Sequence, residues 1–143
     1  MTNLEQSKSL LVRAYNLKEG EAKPLYQDWA NSYDADLVDS LGYVGPVHVA
    51  DIADTYCTNE DARILDVGCG TGLVAQRLSQ LGYEQIDGLD FSKEMLEVAR
   101  SKDIYVDLIN ADLTQTLSIN ASVYDLVVSC GTFTNSHVGP EAF

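Results

Sequence analysis

Basic residues are scarce in this chain: nine Lys and Arg stand against 22 Asp and Glu, which leaves a net charge of −13. Binding a phosphate backbone needs clustered cations, and here the few present are scattered, so nucleic acid is not an expected partner. A small molecule or a basic protein segment suits the surface better, although acidity alone also describes an ordinary solvated face. Two histidines are too few for a metal cluster. The three cysteines, Cys57, Cys69 and Cys130, are odd in number and form no CxxC pair, so they read as reduced thiols with no zinc site. Nothing approaches the roughly 18 consecutive apolar residues of a membrane span, and no membrane partner is expected. The opening MTNLEQSKSL has neither a basic region nor an apolar core, so no signal peptide is read there and a cytoplasmic location is expected.

What the chain does have is a stretch of unusual density, Arg63 to Gly72, RILDVGCGTG. An apolar run (Ile64, Leu65, Val67) carries one carboxylate, Asp66, and meets glycines at alternate positions, Gly68, Gly70 and Gly72. Leu73, Val74, Leu78 and Leu81 then recur at helical spacing. This pattern predicts a buried strand turning sharply into a helix at the carboxyl edge of a parallel sheet. Glycine tolerates positive φ there and lets a ligand lie against bare backbone. Amides unpaired in the helix's first turn point into the same crevice.

The spacing narrows the ligand. A dinucleotide fingerprint needs glycine at position 73, which is Leu73, and the phosphate loop ending in G-K-[ST] is absent. Asp66 repels a pyrophosphate but attracts a cation such as an amino-acid ammonium. A second acid, Asp90, ends the next strand pattern, Ile86–Asp90, 22 residues after Gly68. An acid roughly 20 residues on accepts hydrogen bonds from ribose hydroxyls. A glycine loop, a ribose acid and an ammonium-friendly carboxylate together describe a nucleoside joined to an amino acid, which is S-adenosyl-L-methionine.

LDVGCGTG followed by LDFSKEML resembles the two acidic cofactor motifs of class I S-adenosylmethionine-dependent methyltransferases. Asn110-Ala111-Asp112-Leu113 resembles that family's adenine-contacting segment. YxxWAxxYDxD (Tyr26, Trp29, Ala30, Tyr33, Asp34, Asp36) and the late GTFTNSHVGPEA are similar to its methyltransferase-like protein 27 group. The resemblance spans Tyr26 to the end and implies a cofactor set of Asp66, Gly68, Cys69, Gly70, Gly72, Asp90, Phe91, Met95, Asp112, Leu113 and Ser129. It also implies that N-terminal helices close over the cofactor, with Trp29 and Tyr33 at its methionine end. On spacing alone these two aromatics read as core. Cys69 is a small residue that fits the loop rather than a nucleophile, Met95 is equally readable as core, and Asp34 and Asp36 read as solvated or capping.

The predicted fold class is α/β, a Rossmann-like parallel sheet in the order 3-2-1-4 under N-terminal helical cover. Residues 1–60 form the cover, with helical patterns over Leu4–Tyr15, from Pro24 to Leu41, and over Val47–Tyr56. Residues 61–143 form the cofactor-binding half: strand 63–67, helix 71–82, strand 86–90, helix 92–101 with Ser92 as N-cap, strand 104–109 and strand 124–129. Strand–helix alternation with short connections implies right-handed parallel crossovers.

The resemblance implies seven strands, and the pattern supplies four. The terminal Gly139-Pro140-Glu141-Ala142-Phe143 reads as a helix opening, and the expected product is a truncated domain. Its apolar fourth strand would then be exposed and open to self-association. Most acceptor-binding residues would follow that strand. Ser129 to Thr134 would border the methyl-transfer position. His137 is the one candidate base nearby, although a lone histidine there more often serves as a loop or substrate contact. A small-molecule methyltransferase is the leading expectation. A non-catalytic cofactor-binding fragment competes with it, and a nicotinamide oxidoreductase is disfavoured by Leu73 and Asp66.

Overall fold

A computed structural model describes residues 2–18, 20–120, 122–134 and 137–142. Among them four strands form one parallel sheet, β1 (Ile64–Val67), β2 (Ile86–Asp90), β3 (Asp107–Asn110) and β4 (Leu126–Val128), in the order β3-β2-β1-β4. This is the order the sequence predicts. β1 and β2 are buried along their whole length, as central strands covered on both faces must be.

Alternation along β1 and β2 separates two cores. Ile64 and Ile86 face Ala50, Ala53, Val74, Ala75 and Leu78, from α3 (Gly45–Tyr56) and α4 (Leu73–Gln80). Leu65, Val67 and Leu89 face the opposite way, against Ile109, Leu113, Leu117 and Tyr124. At the amino ends of the strands, Asp87 accepts from Arg63 Nη2 at 2.8 Å and from the Tyr124 hydroxyl at 2.8 Å. The Arg63 guanidinium sits 5.3 Å from the Tyr124 ring centroid, so one ionic cluster ties β1, β2 and the approach to β4.

The remaining elements start and stop for local reasons. α1 (Asn3–Tyr15) opens on a capping box between Thr2 and Glu5, which satisfies two otherwise unpaired amide donors. α4 ends before Gly82, whose φ of +105° serves the helix stop. α5 (Lys93–Ser101) is capped by Ser92, whose Oγ accepts from the Met95 amide at 3.3 Å. β3 and β4 are shorter than the predicted spans, and Tyr105, placed on the third strand by its apolar neighbours, precedes it. Pro140–Ala142 forms a 3-10 turn, and Phe143 lies outside the described residues. Among the described residues β4 pairs only with β1, and its Val127 is 60% exposed. Among the described residues no helix is long and apolar enough to cross a membrane.

The helix expected from Pro24 to Leu41 is two pieces. α2 (Ala22–Trp29) begins two residues before Pro24, and after a turn a π-helical segment runs Ala35–Ser40. The reason is Asp36, which is buried rather than solvated. Its carboxylate accepts from Ser7 Oγ at 2.7 Å, Trp29 Nε1 at 2.8 Å and Ser32 Oγ at 2.8 Å. Burial alone would raise its pKa, but the three donors hold it below the usual carboxylate value. Asp34 precedes the π-helical segment at its N-cap position but makes no side-chain capping bond: its carboxylate pairs with Lys102 Nζ at 2.6 Å and accepts from Thr71 Oγ1. In α3 the buried positions are Pro46, Ala50 and Ala53, whereas Val47, Ile52 and Tyr56 are exposed.

Asp36→Ala removes the acceptor shared by Ser7, Trp29 and Ser32, and should cost about 1–3 kcal/mol because those donors stay desolvated. Urea unfolding followed by the emission of the single tryptophan, Trp29, reads this directly. Because the folded pKa of Asp36 lies below the ordinary 3.8, its stabilisation is present above that pH and is lost as pH falls through the folded value.

Candidate functional site

The carboxyl ends of β1 and β2 open into a crevice of about 1080 Å³. The chain leaves β1 through Gly68, Gly70 and Gly72, with φ of +67°, +54° and +95°. These left-handed values favour glycine strongly. The Gly68 and Cys69 amides donate to Leu89 O at 2.8 and 3.0 Å, pinning the loop to β2. A Cβ at Gly68 would lie 2.0 Å from Thr132 Oγ1, whereas one at Gly70 would meet nothing within 4 Å. Gly68 is therefore needed for close packing, and Gly70 for open space above backbone.

Asp90 closes the floor beside that space. Its Oδ2 accepts from the Gly70 amide and its Oδ1 from the Ser92 amide, each at 2.9 Å. Burial raises its pKa, and the amides of Ser92, Gly70 and Phe91 counter part of that rise. A carboxylate oxygen has two lone pairs, so each retains capacity for a ligand hydroxyl. Phe91, Met95 and Leu113 supply apolar wall nearby. Asp112 also lines the crevice, with Oδ1 accepting from the Thr114 amide at 2.9 Å and hydroxyl at 2.7 Å. These bonds hold its pKa below the ordinary value, with Lys23 also favouring its charge.

The opposite wall comes from the helical cover and the segment after β4. Tyr33 and Tyr26 line it. The Tyr26 hydroxyl meets His137 Nε2 at 2.7 Å, and His137 Nδ1 meets Thr134 Oγ1 at 2.9 Å. Burial first, and then the charge of Asp90, push Tyr26 up to about 12, so its hydroxyl is protonated at neutral pH. Cys130, Gly131, Thr132, Phe133 and Thr134 also border the crevice.

Of the sequence-derived site residues, the structure brings Tyr33, Gly68, Gly70, Asp90, Phe91, Met95, Asp112, Leu113 and His137 to this one crevice. Five others lie off it. Trp29 is only 2% exposed and turns into the core, where its indole is held by Asp36 and packs 4.8 Å from the Tyr33 ring. Asp66, 1% exposed, shares the α4 side of the sheet with Ile64 and accepts from the Tyr105 hydroxyl at 2.8 Å. Burial pushes it up to about 7, the Tyr105 bond opposing and the Asp90 charge adding to the rise. Cys69 is buried, and desolvation first, then the Asp66 and Asp90 charges, raise its thiol far above the usual range; it is no thiolate nucleophile. Gly72 serves as N-cap of α4. Ser129 turns back to Val67 O at 2.8 Å.

Sequence reading missed Lys23 as a crevice residue, included Thr132 only within the segment Ser129 to Thr134, and saw Tyr26 only within the YxxWAxxYDxD resemblance. Lys23 and Tyr26 reach the crevice only because α2 folds back near α5, where Gln27 Nε2 meets Glu94 Oε1 at 3.3 Å, and no local pattern encodes that return. Thr132's individual role, packing against Gly68, is what that segment reading did not resolve.

A family model described as a methyltransferase domain matches residues 64–142. Human methyltransferase-like protein 27 is 36% identical over 116 residues, covering 79% of this chain and 47% of that protein. The 18S rRNA (guanine-N(7))-methyltransferase of Arabidopsis thaliana is 41% identical over 66 residues, 46% of this chain and 22% of that one. Among solved structures, the CcbJ methyltransferase from Streptomyces caelestis superposes with a TM-score of 0.58 at 25% identity, over 71% of this chain and 42% of its own. The chain thus spans about half the length of the human relative and less of the other two. It belongs to the methyltransferase-domain family and has the class I fold of S-adenosylmethionine-dependent methyltransferases.

Proposed function

We propose that this chain binds S-adenosyl-L-methionine in the crevice and forms the cofactor half of a methyltransferase whose acceptor is a small molecule. The observation that carries the reading is Asp90 beside open backbone at Gly70. A buried carboxylate, held in place by a loop amide at 2.9 Å, borders a position where any Cβ would take up free volume. The crevice volume, about 1080 Å³, lies just above the roughly 300–1,000 Å³ of ordinary ligand sites, which leaves room for an acceptor beside a nucleoside.

The residues fit the group by their chemistry. Asp90 would accept from the ribose hydroxyls. Phe91, Met95 and Leu113 would flank the adenine, with Asp112 near its edge. Gly68 and Gly70 present backbone to the amino-acid portion, with Tyr33 on the far side. The Asp66 carboxylate, with Oδ1 lacking a hydrogen-bond partner among the described residues, lies beneath the loop, where its negative charge favours an ammonium above. The bound sulfonium would supply an activated methyl group. The protein's part is to hold an acceptor in line with it and exclude water.

His137 would act as base only by exchanging the Tyr26 hydroxyl at Nε2 for that of an acceptor, while Thr134 keeps the ring oriented. The strongly acidic chain, with cations scattered, supports a small acceptor over an RNA. The relative that acts on 18S rRNA covers 46% of this chain, and acceptor choice resides in site detail rather than in the fold.

Calorimetric titration with S-adenosylhomocysteine, using NADH as control, tests the reading: heat of binding from the first and none from the second is expected, and the reverse overturns it. Asp90→Ala should weaken S-adenosylhomocysteine by about 1–3 kcal/mol, because buried ribose hydroxyls lose their acceptor. The two loop glycines should separate. Gly70→Val should abolish binding in a folded protein. Gly68→Ala, forced against Thr132, should instead lower thermal stability, by about 1–3 kcal/mol for strained backbone.

A further inference from the structure

Tyr105 does not line the crevice, yet three parts of the glycine-loop region converge on it. Its hydroxyl donates to Asp66 Oδ2 at 2.8 Å. A Cβ at Gly88 would come within 2.8 Å of ring atom Cε1, and one at Gly72 within 3.0 Å of Cε2. Asp66 and Gly88 are register partners on β1 and β2, and Gly72 opens α4. One aromatic ring therefore braces both central strands and the exit of the loop.

We propose that Tyr105 is a positioning residue of the cofactor site: its ring, seated between Gly72 and Gly88, sets the glycine loop from below, and its hydroxyl holds the Asp66 carboxylate there. The inference rests on the cofactor reading above. Asp66 is opposed by its own burial and by the charge of Asp90, while the Cys69 thiol beside it stays neutral. On its favourable side stand the Tyr105 hydroxyl and the Ala75 amide in the first turn of α4. Removing the hydroxyl while keeping the ring leaves Asp66 with less support for its charge, so it protonates at a higher pH. The field that attracts the ligand's ammonium then fails at neutral pH and returns in alkali.

Two measurements on the wild type and Tyr105→Phe read this: S-adenosylhomocysteine affinity by calorimetry across neutral pH, and titration of the Asp66 carboxyl by carbon-13 NMR without ligand. The Phe variant should bind about fivefold more weakly at pH 7, approach a deficit of about tenfold at lower pH and converge on wild type at higher pH, as a shift of about one unit from a starting value of about 7 requires. Its Asp66 should titrate correspondingly later. Asp66→Asn should flatten the affinity profile, and Tyr105→Leu, lacking the ring as well, should bind weakly at every pH. Superimposable affinity profiles or an unmoved Asp66 titration in Tyr105→Phe would overturn the proposal. If the wild type binds no S-adenosylhomocysteine, the cofactor reading fails, and the Asp66 titration still decides whether Tyr105 holds that carboxylate.

Discussion

Two carboxylates buried at the ends of adjacent parallel strands set the terms for the rest of this molecule. Asp66 and Asp90 are almost without solvent, and burial raises the pKa of both. A group with a raised folded pKa stabilises the fold below its unfolded pKa, and that contribution is lost as pH rises through the folded value. For Asp66 the loss runs from the ordinary 3.8 up to about 7. Nearby structure limits this cost. Gly70 and Ser92 give amides to Asp90, and Tyr105 gives its hydroxyl to Asp66. The glycine loop can approach so closely only because its positive φ values bring bare amides inward.

The same arrangement favours one kind of visitor. A ligand with hydroxyls for Asp90 and a positive charge above Asp66 relieves both groups at once, whereas a pyrophosphate would add repulsion. On the proposed reading, selectivity between nucleoside cofactors would follow from the sign of the charge under the loop as much as from the loop's shape. The wall facing the loop is aromatic and hydroxylated, with Tyr26, Tyr33, Thr134 and His137, and it borders the remaining volume where an acceptor would sit.

The sheet and the loop were legible because their signals are local. A glycine triplet after a buried apolar run, an acid at the end of the next strand, Ser92 before a helix and Gly82 after one each act through a few neighbouring residues. What escaped depends on contacts between distant segments. Asp36 looks like a surface acid, and it becomes a buried acceptor where Ser7, 29 positions away, joins Trp29 and Ser32 as its donors. Trp29 was drawn from the crevice by that same acid. The side on which Asp66 lies was legible, since strict alternation puts it on the face of Ile64, opposite Leu65 and Val67. Tyr105 was hidden because its apolar neighbours placed it on the third strand, which in the structure begins only at Asp107.

The most direct measurement is a crystal of this chain soaked with S-adenosylhomocysteine. The ribose oxygens should lie within hydrogen-bonding distance of the Asp90 carboxylate, with the amino-acid portion passing over Gly70. Density for the ligand elsewhere, or a ribose turned away from Asp90 with Gly70 uncovered, would contradict the site.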